Sequence, residues 1–165
     1  MMKKVISIIA VFMAIIMCFP FTVNADDQTE WQDTNITDEE FYALEHSDGE
    51  CGPVYERASG LIMGKSLSIA KSGTTLYIKG YTEGIPSVVK AGFTEITIQR
   101  RTSAGNSWSN YKTYTSLYAD DNFYSLAKSI TVSTGYQYRV TGTHYAKKSL
   151  LSTQKISNST GYLTF

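Results

Sequence analysis

Ile130-Thr-Val-Ser-Thr-Gly-Tyr-Gln-Tyr-Arg-Val-Thr-Gly-Thr-His144 joins a strand-like run to a Ser133-Thr134-Gly135 corner and then to a longer alternating run. On an extended chain Tyr138, Val140, Gly142 and His144 share one face, while Gln137, Arg139, Thr141 and Thr143 share the other. This is the period-two pattern of a half-buried strand, with the polar face turned to water.

Val132 precedes Tyr138 across the Gly135 corner with a spacing that resembles the tyrosine corner of immunoglobulin-like and fibronectin type III sandwiches. The resemblance implies that the Tyr138 ring packs in the core and its hydroxyl ties down the crossover backbone. Strand patterns recur on both sides of the corner, over 67–71, 74–82, 93–101, 108–114, 124–132, 136–146, 152–156 and 162–165, with a further edge at 61–62. Residues 57–165 therefore read as an all-β, antiparallel, immunoglobulin/fibronectin-III-like sandwich of about seven or eight strands. Within it Leu76, Ile78 and Gly80 share a face with Thr82, and Ile96 shares one with Ile98. Tyr124, Leu126, Ile130 and Val132 align too, but Lys128 breaks their alternation and must snorkel or sit at a bulge. The large indole of Trp108 is expected in the core beside Tyr138.

Residues 1–25 have the form of an export signal: Lys3 and Lys4, an apolar run over 5–21, and Val23-Asn24-Ala25 as a small-residue cleavage site. The run is short for a membrane span and Pro20 interrupts its end, so cleavage after about Ala25 and an extracellular product are expected, with no membrane partner afterwards. Met17 argues against lipid attachment at Cys18. Cys51 is then the only cysteine of the mature chain, which excludes an intramolecular disulfide. A monomer with an inert thiol is expected, a Cys51-linked dimer being the alternative.

Charge divides the chain. Residues 26–56 hold eleven acidic side chains and no Lys or Arg, whereas residues 57–165 hold thirteen basic and four acidic ones. The leader over 26–56 is expected to be partly disordered, with one short helix over about 38–46. Thr37 and Glu40 have capping-box spacing there, with Ile36 and Phe41 at the staple positions. Such a helix is marginal alone and would hold only if docked. A leader of this charge would be able to mask a basic face of the domain.

Gly135-Tyr136-Gln137-Tyr138-Arg139-Val140 followed by His144-Tyr145-Ala146-Lys147 resembles a family of small exported proteins of Gram-positive bacteria carrying one domain of unknown function. Gly60-Leu61-Ile62, Gly92-Phe93 leading to Ile98-Gln99-Arg100, and Trp108 also fit, so the similarity spans about 59–165. It implies export and a β-sandwich. The family has no assigned activity, and no functional residue is carried over from it.

Catalysis has little to work with. A nucleophile and base need hydrogen-bond reach and an orienting third group, and His144 is the lone histidine of 57–165. A solvated His144 beside the turn residues Asp120 and Asp121 is expected rather than a catalytic pair. Asp120-Asp121-Asn122 supplies too few oxygens for calcium. No catalytic residue, metal site or cofactor is expected.

The leading expectation is a non-catalytic module meeting an anionic envelope polymer or a protein through Arg100, Arg101, Arg139, Lys147 and Lys148. The alternative is a carbohydrate-binding module with exposed tyrosine platforms, Tyr111 with Tyr118 or Tyr77 with Tyr81. Export argues against nucleic acid as a partner.

Overall fold

The computed structural model describes residues 30–50, 52–53 and 60–165. Residues 1–25, where an export signal and its cleavage site are expected, and Cys51 lie outside the described residues. Four short leader elements come first: β1 (Gln32–Asp33), α1 (Asp38–Ala43), β2 (Glu45–Asp48) and β3 (Gly52–Pro53). Seven long strands follow: β4 (Ile62–Ser72), β5 (Thr75–Gly84), β6 (Lys90–Arg101), β7 (Ser109–Ala119), β8 (Phe123–Thr131), β9 (Gln137–Ser149) and β10 (Ser152–Ser159). The short β11 (Leu163–Thr164) ends the chain.

These strands form two antiparallel sheets, so the all-β sandwich read from the sequence is the fold. One sheet has the order β1-β8-β5-β4-β2, with β3 also on β4, and the other β10-β9-β6-β7, with β11 on β9. Leu67, Ile69, Leu76, Ile78, Leu126 and Ile130 of the first sheet face Phe93, Ile96, Ile98, Tyr138 and Val140 of the second. Along β9 the inward set Tyr138, Val140, Gly142, His144 and Ala146 is buried at every second position, as the alternation requires.

The corner before β9 is held at several points. Gly135 takes a positive φ of 84°, where a side chain would be strained, and its N–H donates to Phe165 O at 2.7 Å. The Tyr138 hydroxyl donates to Ser133 O. Gly92 has the same logic on β6: its φ is 151°, and a Cβ there would overlap the Leu117 carbonyl oxygen of β7.

Trp108 corrects one expectation. It precedes β7, stays partly exposed, and stands outside the buried cluster. Tyr111, Tyr114 and Leu117 pack against that cluster from β7 instead. The indole finds its cover elsewhere, under two arginines.

His144 corrects another. It is fully buried rather than solvated, with Nδ1 2.8 Å from Thr82 Oγ1 and Nε2 3.4 Å from Asn158 Nδ2. The Thr82 hydroxyl donates to Gly92 O, so its oxygen is left to accept from His144 Nδ1–H. Asn158 Nδ2 also donates to Glu50 O, and its Oδ1 accepts from Glu50 N, which brings a leader residue into the network.

The leader is woven into the first sheet. The capping box forms as expected: Thr37 Oγ1 accepts from Glu40 N at 3.1 Å, and Glu40 Oε2 accepts from Thr37 N at 2.9 Å. The helix stops at Ala43 rather than near His46, because Leu44 turns extended and Glu45–Asp48 pairs along β4. Phe41 is fully buried, with the Lys79 ammonium 5.6 Å from its ring centroid.

At the far edge Gln32 pairs with Ser129 and Asp33 with Lys128. Trp31 stacks on Tyr114 at 3.7 Å between ring centroids. Lys128 sits at no bulge: its stem runs outward, and its Nζ lies 5.5 Å from the Trp31 ring and 2.7 Å from Asp33 Oδ1.

Candidate functional site

The outer face of β6 and β9 carries the most organised group of charged and aromatic side chains. Antiparallel register sets Gln99 opposite Arg139 and Arg101 opposite Gln137, all four at outward positions. Each pair is closed by a hydrogen bond, from Arg139 Nε to Gln99 Oε1 at 2.9 Å and from Arg101 Nε to Gln137 Oε1 at 2.8 Å. The result is a square in which like charges sit on the diagonal. Trp108 covers that diagonal, its ring 4.3 Å from Arg101 Cζ and 4.5 Å from Arg139 Cζ. Tyr162 adds a second ring 5.1 Å from Arg101 Cζ and is itself half exposed.

The chemistry left over is anion recognition. Arg101 Nη1 donates to Ala104 O, while Arg101 Nη2 and both Arg139 η nitrogens have no hydrogen-bond partner among the described residues. All ion pairs among the described residues are formed by lysines. Burial, and then the neighbouring Arg101 charge, push the Arg139 pKa below its usual value. An anion bridging the two guanidiniums would relieve that repulsion and fill their free donor forks. Gln99, fixed in turn by its Nε2 on Asn110 Oδ1, keeps Arg139 oriented without neutralising it. The single acid of β6, β7, β9 and β10 is Glu95, which accepts from Thr97 Oγ1 two positions farther along β6.

The other sequence candidates are dispersed. Arg100 points to the opposite face from Arg101, where its guanidinium lies between Tyr111 and Tyr136 at 4.6 and 4.8 Å. Tyr111 meets Tyr138 edge to face at 5.8 Å and is no surface platform. Tyr118 lies at the other end of β7 against Tyr145, with Lys90 above it, so Tyr111 and Tyr118 do not come together. Lys147 and Lys148 are also at that far end, near the close of β9. Asp120 pairs with Lys90 at 2.8 Å, and Asp121 accepts from Asn122 N. Neither acid has a hydrogen bond or ion pair to His144 among the described residues.

Tyr162, Gln99 and Gln137 escaped the sequence reading as site residues. Parity already put Gln99, Gln137 and Arg139 on outward faces, and the same parity separates Arg101 from Arg100. The missing information was the β6–β9 register, which pairs them.

A groove of about 640 Å³ opens on the outer face of the first sheet. Asp38 and Tyr42 of α1 line one side, and Lys79, Tyr81, Phe123 and Ser125 the other. Tyr81 and Phe123 are stacked with centroids 6.0 Å apart. The leader acids also belong to this sheet. Asp33, Asp38, Glu45 and Glu50 pair with Lys128, Lys79, Lys71 and Lys65, and none of them covers Arg101 or Arg139.

No protein-family model, no curated protein and no solved structure matches the chain.

Proposed function

We propose that the protein is an exported, non-catalytic binding module whose Arg101–Trp108–Arg139 face takes an anionic polymer of the cell envelope. One observation carries the reading: two guanidiniums share one indole with glutamines, not carboxylates, as neighbours. Carboxylates would have satisfied the pair internally. Glutamine orients each guanidinium and leaves its charge for a ligand.

An immunoglobulin/fibronectin-III-like identity for the sandwich belongs to the same proposal. It is supported by the strand orders β8-β5-β4 and β10-β9-β6-β7 and by the Tyr138 hydroxyl bond to the corner backbone. Export is supported by the lysine, apolar and small-residue pattern of 1–25. So is membership of the family of small exported Gram-positive proteins, by the motif around Tyr138. A non-catalytic role is supported by the sealed position of His144, whose ring nitrogens face Thr82 and Asn158.

The test is affinity electrophoresis in a gel containing poly(glycerol phosphate). The wild type should be retarded in a salt-sensitive way, and R101Q/R139Q should lose at least tenfold in affinity while melting normally. Equal retardation of the two proteins would sink the reading.

A second reading, carbohydrate binding, is favoured by the groove beside α1. Its stacked Tyr81–Phe123 pair and the hydroxyls of Ser66, Ser68 and Ser125 suit a neutral glycan. Phe123→Ala would abolish retardation by a neutral polysaccharide on that reading and leave the poly(glycerol phosphate) result untouched.

A further inference from the structure

The β9–β10 hairpin turns through Leu150 and Leu151, which are 88% and 100% exposed. Two-residue hairpin turns favour Asn, Asp and Gly because the tight turn asks for positive φ. Neither leucine has a positive φ, so the backbone makes no demand that these side chains meet. A polar pair would close the hairpin equally well and keep apolar surface out of water.

The charged residues nearest the leucines in sequence are all basic. Lys147 and Lys148 precede the turn; Lys147 pairs with Thr153 and Ser149 with Ser152, and the register shift between them leaves Lys148 without a partner on β10. Lys90 stands opposite Lys147 on β6, and Lys155 lies exposed on β10. Neither β9 nor β10 contains an acidic residue. Asp120, whose carboxylate also feels the Lys147 charge, is engaged by Lys90 at 2.8 Å. Val89, 55% exposed, is bound to this end through its N–H on Lys147 O at 2.8 Å.

We infer that the β9–β10 hairpin docks the protein on an anionic lipid surface, with Leu150 and Leu151 entering the acyl boundary and Lys147 and Lys148 meeting headgroup phosphates. The shape favours a bilayer over a protein groove, because the apolar element is a convex tip ringed by flexible monovalent ammonium groups. Among the described residues no helix is long and apolar enough to cross a membrane, so the contact proposed is with its surface. This departs from the sequence expectation of no membrane partner, since hydropathy alone cannot tell that Leu150-Leu151 is a tip.

The docking site is separate from the arginine face. Ten residue-to-residue steps along β9 part Arg139 from Ser149, roughly 30 Å at a strand's rise per residue. A protein seated by its hairpin would therefore hold Arg101 and Arg139 well clear of the headgroups.

Co-sedimentation with vesicles tests this, using purified chains identical outside the substituted positions. The wild type should bind vesicles of phosphatidylglycerol and phosphatidylcholine at least tenfold more strongly than phosphatidylcholine alone. L150S/L151S should lose at least tenfold with an unchanged melting temperature, as befits exposed positions. K147Q/K148Q should lose several-fold and most of the salt dependence, while R101Q/R139Q should bind like the wild type. The inference fails if the wild type stays in the supernatant, the result a protein-binding tip would give, or if L150S/L151S sediments as the wild type does.

Discussion

The Tyr138 hydroxyl donates a hydrogen bond to the carbonyl oxygen of Ser133, five residues upstream, at 3.1 Å. The ring below it is fully buried, edge to face with Phe165 at 5.4 Å and with Tyr111 at 5.8 Å. One side chain thus fills the core and fastens the crossover between sheets. The two roles separate by substitution. Tyr138→Phe should cost about 1 kcal/mol, the net worth of one hydrogen bond. Tyr138→Ala should cost about 3–5 kcal/mol, as large-to-small core changes do. Urea denaturation of both variants measures the split, and equal losses would remove the hydroxyl from the account.

Trp108→Ala should leave a folded protein. The indole lies on the outer face, so its loss removes two guanidinium contacts worth about 0.5–2 kcal/mol each and no core volume. Phe93→Ala, which empties a fully buried position, should cost about 3–5 kcal/mol. A Trp108→Ala variant destabilised as much as Phe93→Ala would return the indole to the core. Its polymer retardation should fall with that of R101Q/R139Q, because the arginines lose the surface that aligns them.

Acid should weaken the fold through His144. Burial first, and then the Lys65 ammonium, pull its pKa down to about 3 from an ordinary 6.5, against a smaller raising effect of the Tyr81 backbone. The folded value lies below the unfolded one, so the unfolded chain takes up the proton first. The contribution is fully present above pH 6.5 and is lost as pH falls from there toward 3, with a slope approaching about 1.4 kcal/mol per pH unit. His144→Gln should flatten the stability curve by about one proton between pH 7 and 5, above the range where most carboxylates titrate. Parallel curves for wild type and variant would show that His144 titrates normally.

A chain beginning at residue 51 should be less stable and should bind poly(glycerol phosphate) no better. It lacks β1, β2, the buried Phe41 and the Trp31–Tyr114 stack, while among the described residues no leader acid pairs with Arg101 or Arg139. Thr37→Ala is a milder version and should cost about 1 kcal/mol through the lost cap. Calorimetry reads both effects. Tighter polymer binding by the truncated chain would restore the masking role expected from charge alone.

The faces of the long strands were legible because alternation is local. Tyr138, Val140 and His144 on β9, or Leu76 and Ile78 on β5, declare their side without reference to any partner. Lys128 announced itself as an exception, and its outward run to Asp33 is one of the two outcomes open to it. Trp108 was misread because size and hydrophobicity favour burial, while its actual cover comes from arginines on two strands that precede and follow it. The arginine square and the leader's pairing share that difficulty. Register between distant segments joins Gln99 to Arg139 and Asp33 to Lys128, and no periodicity within either segment encodes it.

The two-residue β1 and the four-residue β2 close opposite flanks of the sheet built by β4, β5 and β8. The leader is synthesised before the domain, yet Gln32 must wait for Ser129 before it can pair, with β4, β5, β6 and β7 made in between. Until β1 and β2 are seated, β8 and β4 present raw hydrogen-bonding borders to their surroundings. Another copy's leader fits those borders as well as the chain's own, so refolding at high concentration should produce strand-exchanged dimers that dilute refolding avoids.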